Sequence, residues 1–189
     1  MSSITCCRSE SESDLHGIIE LQRLNLRAVL SEQEKAEQGF LTVVHDLDML
    51  SKLNEREKHV IVKKGDRVIA YLLAMTAASK NDIPVLVPMF SLFDNTRFRG
   101  KPVSGYNYIV VGQVCVDKAY RGQGVLDACY DFYRTEFRGK YDFAITEIDT
   151  ANRRSVRAHQ RIGFEELVRH HSADQIEWSI VLWNWNREC

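Results

Sequence analysis

The chain has 189 residues, 44% of them hydrophobic, with 25 Lys and Arg against 26 Asp and Glu and a formal net charge of −1. That apolar content can bury one core, so a single domain over 1–189 is expected, and the balanced charge lacks the basic excess of a nucleic-acid binder. No window reaches the ~18 apolar residues of a membrane span.

In chain order, residues 1–5 show neither a basic leader with an apolar core nor a glycine at position 2, so neither secretion nor myristoylation is expected. Residues 4–8 suit a short first strand. Cys6-Cys7 within it lacks a second pair or a histidine at metal spacing, so no metal is expected. Ser13-Asp14 then opens a helix carrying Leu15, Ile18, Ile19, Leu21 and Leu24. A polar helix over 31–38 stops at Gly39, and a short one over 46–53 places Leu47, Leu50 and Leu53 on one side. Residues 59–63 and 67–75 are β-rich and joined by Lys64-Gly65-Asp66, a hairpin signature.

Residues 77–105 break this pattern. All three prolines, Pro84, Pro88 and Pro102, lie here with Phe90, Phe93 and Phe98. That is too much apolar area for a solvated linker. Arg97, Arg99 and Lys101 suit either an anionic ligand or a solvated loop.

A β-branched run over 109–116 reads as a buried strand. A polar turn with Gly122 and Gly124 follows, and from Val125 the period becomes helical, with Val125, Cys129, Phe132 and Tyr133 on one side. Residues 143–149 form another strand. Asn152 is a good N-cap and Gly163 a good stop. Between them Ser155, Ala158, His159 and Ile162 fall on one helix face. Closing strands over 166–171 and 175–185 include Trp178, Trp183 and Trp185, read as core and edge packing. The five cysteines are an odd count, and Cys115 and Cys129 lie inside core elements. They read as reduced thiols of a cytoplasmic protein.

Strand, glycine turn and helix present unpaired N–H groups at a positive helix end, which suits a pyrophosphate. A P-loop would need Lys-Ser/Thr where Val125-Leu126 stands, and a dinucleotide fingerprint fails at Asp127. Arg121-x-x-Gly124-x-Leu126 instead resembles the Arg/Gln-x-x-Gly-x-Gly/Ala acetyl-CoA loop of the GNAT N-acetyltransferases, with Leu126 in place of the small residue. About thirty residues on, 152–164 resembles that family's Asn-x-x-Ala-x-x-x-Tyr-x-x-x-Gly-Phe segment, with His159 at the tyrosine place.

The resemblance implies an α/β (α+β) fold: one GNAT-like domain, a mixed central sheet flanked by helices, with 77–105 inserted before the central strand. That insertion is then either a packed connection or a lid over the acceptor. Acetyl-CoA is implied as co-substrate, its pyrophosphate on the N–H groups of Arg121, Gly122, Gln123, Gly124, Val125 and Leu126. The backbone of Cys115 and Val116 would polarise the carbonyl, and Asn152 would both cap its helix and touch the pantetheine arm. Arg154, Arg157 and Arg161 form a basic stripe, either solvated or turned to the adenosine end.

His159 would be the general acid, since imidazole titrates near ~6.5. Glu147 is the first candidate for the base. Asp149 shares its face by alternation and has a helix cap as its other reading. A strand cysteine lacks the setting that activates a thiol, so no acyl intermediate on Cys115 is expected. The implied function is transfer of an acetyl group from acetyl-CoA to a primary amine of a small molecule or peptide by direct attack in a ternary complex. The alternative is a GNAT-fold acyl-CoA sensor without turnover. Partners are the amine acceptor, with neither nucleic acid nor membrane, and with a homodimer left open.

Overall fold

The computed structural model describes residues 3–186 except Asp82; Met1, Ser2 and Cys189 lie outside them. The strands are β1 (Ile4–Arg8), β2 (Val60–Lys64), β3 (Arg67–Thr76), the two-residue pair β4 (Arg97–Phe98) and β5 (Lys101–Pro102), β6 (Tyr108–Val116), β7 (Phe143–Asp149), β8 (Glu165–His171) and β9 (Glu177–Asn184). The helices are α1 (Glu12–Arg23), α2 (Glu32–Gln38), α3 (Leu47–Arg56), α4 (Val87–Asn95), α5 (Val125–Phe137) and α6 (Arg153–Ile162). A seven-stranded sheet has the order β1-β2-β3-β6-β7-β9-β8. Its β6–β7 pair is parallel and the other neighbours are antiparallel. The expected mixed sheet in a single domain is what forms.

Local chemistry explains the helix starts. Ser11, not Ser13, is the N-cap of α1: its side chain accepts from Asp14 N, and the Asp14 carboxylate reaches back to the N-cap N–H. A capping box therefore sets the start two residues early. Leu24 falls at the C-cap and is exposed rather than core. Ser31 and Glu34 form the same box at α2, and Asp46 caps α3. No described helix is long and apolar enough to cross a membrane.

Alternation along β2 and β3 divides the core between two faces. On one, Val60, Val62, Ala70 and Leu72 pack with Val125, Cys129, Tyr130 and Tyr133 of α5. On the other, Ile61, Tyr71 and Leu73 pack with Leu15 and Ile18 of α1 and Leu50 of α3.

Residues 77–105 complete that second face. Phe90 and Phe93 of α4 are fully buried against Tyr108, Phe143 and Ile145, and Tyr108 Oη donates to Asp94 Oδ1 at 2.8 Å. Each buried phenylalanine contributes about 1.5–3 kcal/mol. Lys101 lies over the Tyr106 ring and Arg99 over Phe98, so these cations stack on their own segment. Of the two readings of the insertion, its contacts are those of the packed connection. It sits at the start of β6, away from the turn that follows the strand.

Candidate active site

The site opens where β6 and β7 part. Their pairing is confined to Tyr108↔Phe143, Ile109↔Ala144 and Val110↔Ile145. Past it, Thr146 Oγ1 bridges to Val111 O at 2.7 Å. The β3–β6 register slips between Leu72↔Val114 and Ala74↔Val111, so Gly112 and Gln113 together oppose Leu73 in a β-bulge that bends β6. A Cβ at Gly112 would fall 2.1 Å from Met75 Cε and 2.5 Å from its sulfur, so any side chain there would have to displace the tip of Met75.

Beyond the bulge the backbone groups alternate sides. Asp117 N donates to Ile69 O on β3, so Cys115 also faces β3, while Val114 and Val116 turn their N–H groups to the opening. The expected pair of donors, Cys115 and Val116, is thereby corrected to Val114 and Val116. Burial pushes the Cys115 thiol up to about 12.

Two cavities occupy the opening. The larger, about 520 Å³, runs from β6 past the turn at 121–127 to α6. The smaller, about 100 Å³, lies toward β7 and contains Gln113, Glu147, Asp149 and Trp178. Phe40, Leu41, Val114, Asn152, Ser155 and His159 line both and form their common wall. No described residue from 77 to 105 lines either one. Trp178, expected as packing, also lines the smaller cavity.

At the turn, Gly124 is the N-cap of α5 with φ 76°, and Gly122 has φ 73°. Neither would bring a Cβ within 4 Å of another atom; the left-handed backbone, not crowding, selects glycine. No side chain caps this helix, so its first N–H groups remain for a ligand. Leu126 packs partly against the α5 core and also lines the larger cavity. Gln123 donates from Nε2 to Ala119 O at 2.7 Å and does not line the cavity. Only its backbone N–H is available to the phosphate loop.

Arg121 donates from Nε to Val116 O at 2.8 Å, from Nη1 to Gln38 Oε1 at 3.0 Å and from Nη2 to Asn25 Oδ1 at 2.6 Å. It thus anchors the segment around α2 to the cavity, and burial lowers its pKa from the ordinary value. Asn152 caps α6, accepting from Ser155 N at 3.2 Å, and its amide donates to Phe40 O at 2.9 Å. Arg154 Nη1 donates to Glu37 O at 3.2 Å. This segment holds the α2 wall that sequence reading leaves out. Its polar helix and Gly39 stop carry no sign of what they face.

His159 is 3% exposed. Its Nδ1 lies 2.8 Å from Ser155 O and its Nε2 2.7 Å from Tyr130 Oη. A carbonyl can only accept, so Nδ1 carries the proton and Nε2 accepts from the tyrosine. Burial lowers its pKa to about 4. Burial thus works against the protonated ring that the expected acid role needs near neutrality. Tyr130 escaped the periodicity of α5, where Phe132 was counted in its stead.

Glu147 faces the smaller cavity with Oε2 3.1 Å from His170 Nε2 of β8, and burial raises its pKa. Asp149 is bound elsewhere: Oδ2 lies 3.1 Å from Arg27 Nη1, and Oδ1 accepts from Ala151 N at 2.8 Å. It is not the helix cap. Gln113 accepts from Tyr71 Oη at 2.7 Å and donates to Val43 O at 2.8 Å, tying the loop before α3 to the cavity. A lone amide in an apolar strand was the available signal for it.

A parted parallel pair, a left-handed glycine turn and an uncapped helix end thus meet around the larger cavity. The chain belongs to the acetyltransferase (GNAT) family, whose sequence model matches residues 18–164. No curated protein matches it in sequence. Solved structures share the fold across nearly the whole chain. The ribosomal-protein-S18-alanine N-acetyltransferase from Escherichia coli superposes with a TM-score of 0.63 at 12% identity, covering 99% of this chain and 97% of that one. Ard1 from Thermoplasma volcanium gives 0.62 at 14%, covering 96% and 97%. Arabidopsis thaliana NAA60 in complex with acetyl-CoA gives 0.60 at 12%, covering 96% and 99%.

Proposed function

We propose that the protein is an N-acetyltransferase that moves the acetyl group of acetyl-CoA to a primary amine of a small molecule or peptide, by direct attack in a ternary complex. The observation that carries this reading is the meeting of the two cavities at one wall where β6 and β7 part. The larger has the volume, the arginines and the open helix end for a phosphate-bearing thioester. The smaller has a carboxylate whose pKa burial raises.

Each partial step falls to a named group. Amide N–H groups at 121–126 hold the pyrophosphate. Val114 and Val116 N–H groups hold the thioester oxygen where negative charge grows. Glu147 accepts the proton of the acceptor ammonium, and the amine nitrogen forms its bond to the acetyl carbon as the carbon–sulfur bond breaks. The departing thiolate then takes up the proton that the nitrogen sheds on becoming an amide, giving free CoA, a thiol of ordinary pKa near ~8.5. In this reading His159 acts by position: its two internal hydrogen bonds fix Tyr130 and the start of α6. A cytoplasmic setting belongs to the reading and is supported by the four described cysteines, all free.

The neutral, internally bonded His159 favours one other reading, a module that binds acyl-CoA without turnover. The deciding experiment incubates purified protein with acetyl-CoA and a panel of primary amines and follows free thiol. Amine-dependent thiol release, with an acetylated product by mass, is the expected result. Tight CoA binding with no release for any amine would establish the sensor instead.

A further inference from the structure

Four guanidinium groups line the larger cavity, those of Arg121, Arg154, Arg157 and Arg161, against one carboxylate, Asp127. Their states differ. Arg121 is held by Val116, Gln38 and Asn25. Arg161 is paired with Asp127 at the first turn of α5, so its charge is met within the protein. Arg154 has one donor on a backbone carbonyl, Glu37 O, and no carboxylate partner among the described residues. Arg157 has no hydrogen-bond or ion-pair partner among the described residues.

The three α6 arginines are three and four residues apart and share one face. The row extends about 10 Å along the helix axis. Its Arg161 end is fixed beside the phosphate turn by Asp127, and its Arg154 end lies against α2. A pyrophosphate is already provided for by the turn's amide groups, the α5 end and Arg121. Two further positive charges, Arg154 and Arg157, then face the same cavity with no anion to meet them. Arg154 also lies near enough to Arg121 to oppose its charge. Like charges gathered without a counter-charge disfavour the empty site and favour a second anionic group.

CoA carries such a group. Besides its pyrophosphate it has a ribose 3′-phosphate with about −1.5 to −2 charge near neutrality. Resting on the acetyl-CoA reading above, we infer that Arg157, with Arg154 beside it, binds the 3′-phosphate and makes the site discriminate CoA from 3′-dephospho-CoA. The two ligands share thioester arm, pyrophosphate and adenine, so the rest of the cavity treats them alike. Only the phosphomonoester separates them, and guanidinium groups are suited to it in both charge and fork geometry.

The test is calorimetric titration of the protein with CoA and with 3′-dephospho-CoA at low ionic strength, where exposed pairs are least screened. CoA is expected to bind about five- to tenfold more tightly. Arg157→Gln, at an exposed helix position, should keep the wild-type melting temperature. It should weaken CoA and leave 3′-dephospho-CoA unchanged, so that the preference falls toward unity. Arg157→Lys should retain part of the preference. Equal affinity of the wild-type protein for both ligands overturns the inference alone, as does an equal loss for both in Arg157→Gln. Failure of both ligands to bind removes the cofactor reading and this inference with it.

Discussion

Tyr130 Oη lies 2.7 Å from His159 Nε2, and both side chains are almost wholly buried. The hydroxyl of α5 and the imidazole of α6 thereby join the two helices that flank the larger cavity. With Nδ1 bonded to Ser155 O and burial favouring the neutral ring, Nε2 is the acceptor for the tyrosine proton. Replacing His159 by alanine strands the tyrosine hydroxyl in the core, at a cost of about 1–3 kcal/mol before any cavity term. The expected outcome is a melting temperature lower by several degrees, with kcat per folded molecule within a few-fold of wild type. Thermal melts and kcat on the same preparations check it. A stable variant with kcat down ~10²-fold would make His159 an acid after all.

The same ring gives stability a pH dependence. Its folded pKa, about 4, is below the unfolded value of 6.5. The unfolded chain therefore binds the proton first, and stability is full above 6.5 and declines as pH falls toward 4. Denaturant midpoints in that window should fall less steeply in His159→Phe than in wild type. Equal slopes would mean that His159 titrates normally when folded.

Glu147→Gln should lower kcat/KM for the amine by ~10²-fold or more while leaving CoA affinity unchanged. Burial raises the Glu147 pKa, so the acid limb of the wild-type profile should lie above the ordinary glutamate value of ~4.3. Activity is present above that limb and lost as pH falls through it, and the limb should vanish in the glutamine variant. A full pH profile of kcat/KM decides this, and an unchanged limb would exclude Glu147 as base.

Gly124→Val places a β-branched residue at φ 76° at a position that lines the larger cavity. The left-handed backbone costs about 1–2 kcal/mol, and the added methyl groups stand where a phosphate would approach. CoA affinity should drop at least tenfold while the circular dichroism spectrum is kept. Wild-type affinity in the folded variant would take the turn out of the site.

Phe93→Ala distinguishes core from lid. A fully buried phenylalanine truncated to alanine costs about 3–5 kcal/mol. The variant should unfold earlier, with the KM for amine and for acetyl-CoA both unchanged in the folded fraction. A rise in the amine KM alone would restore a substrate role to the insertion.

The sheet, most helices and the phosphate turn were legible because each is written locally: alternation in β2 and β3, the Gly122 and Gly124 pair, the Asn152 cap. What escaped depends on partners far along the chain. His159 looked titratable because nothing nearby announces Tyr130, 29 residues earlier. The choice of Val114 over Cys115 follows from the register of β6 on β3, fixed by the bulge and by Asp117 N on Ile69 O, which lie on two strands far apart in the chain. The insertion was ambiguous because two phenylalanines serve a core or a substrate wall equally well until their neighbours are known. His170 was invisible beside Glu147 because strand register, not sequence distance, brings them together.

The bonds from Arg121 to Gln38 and Asn25, from Arg154 to Glu37 and from Asn152 to Phe40 have a consequence for the order of events. On the proposed acetyl-CoA reading, the groups beside the donor's cavity also hold the 38–41 segment, of which Phe40 and Leu41 line the smaller cavity as well. On that reading, a phosphate that draws on Arg121 or Arg154 would alter the hold on that segment, and any link between the two affinities would be reciprocal. Loading the donor would then set the shape of the room into which the amine is admitted.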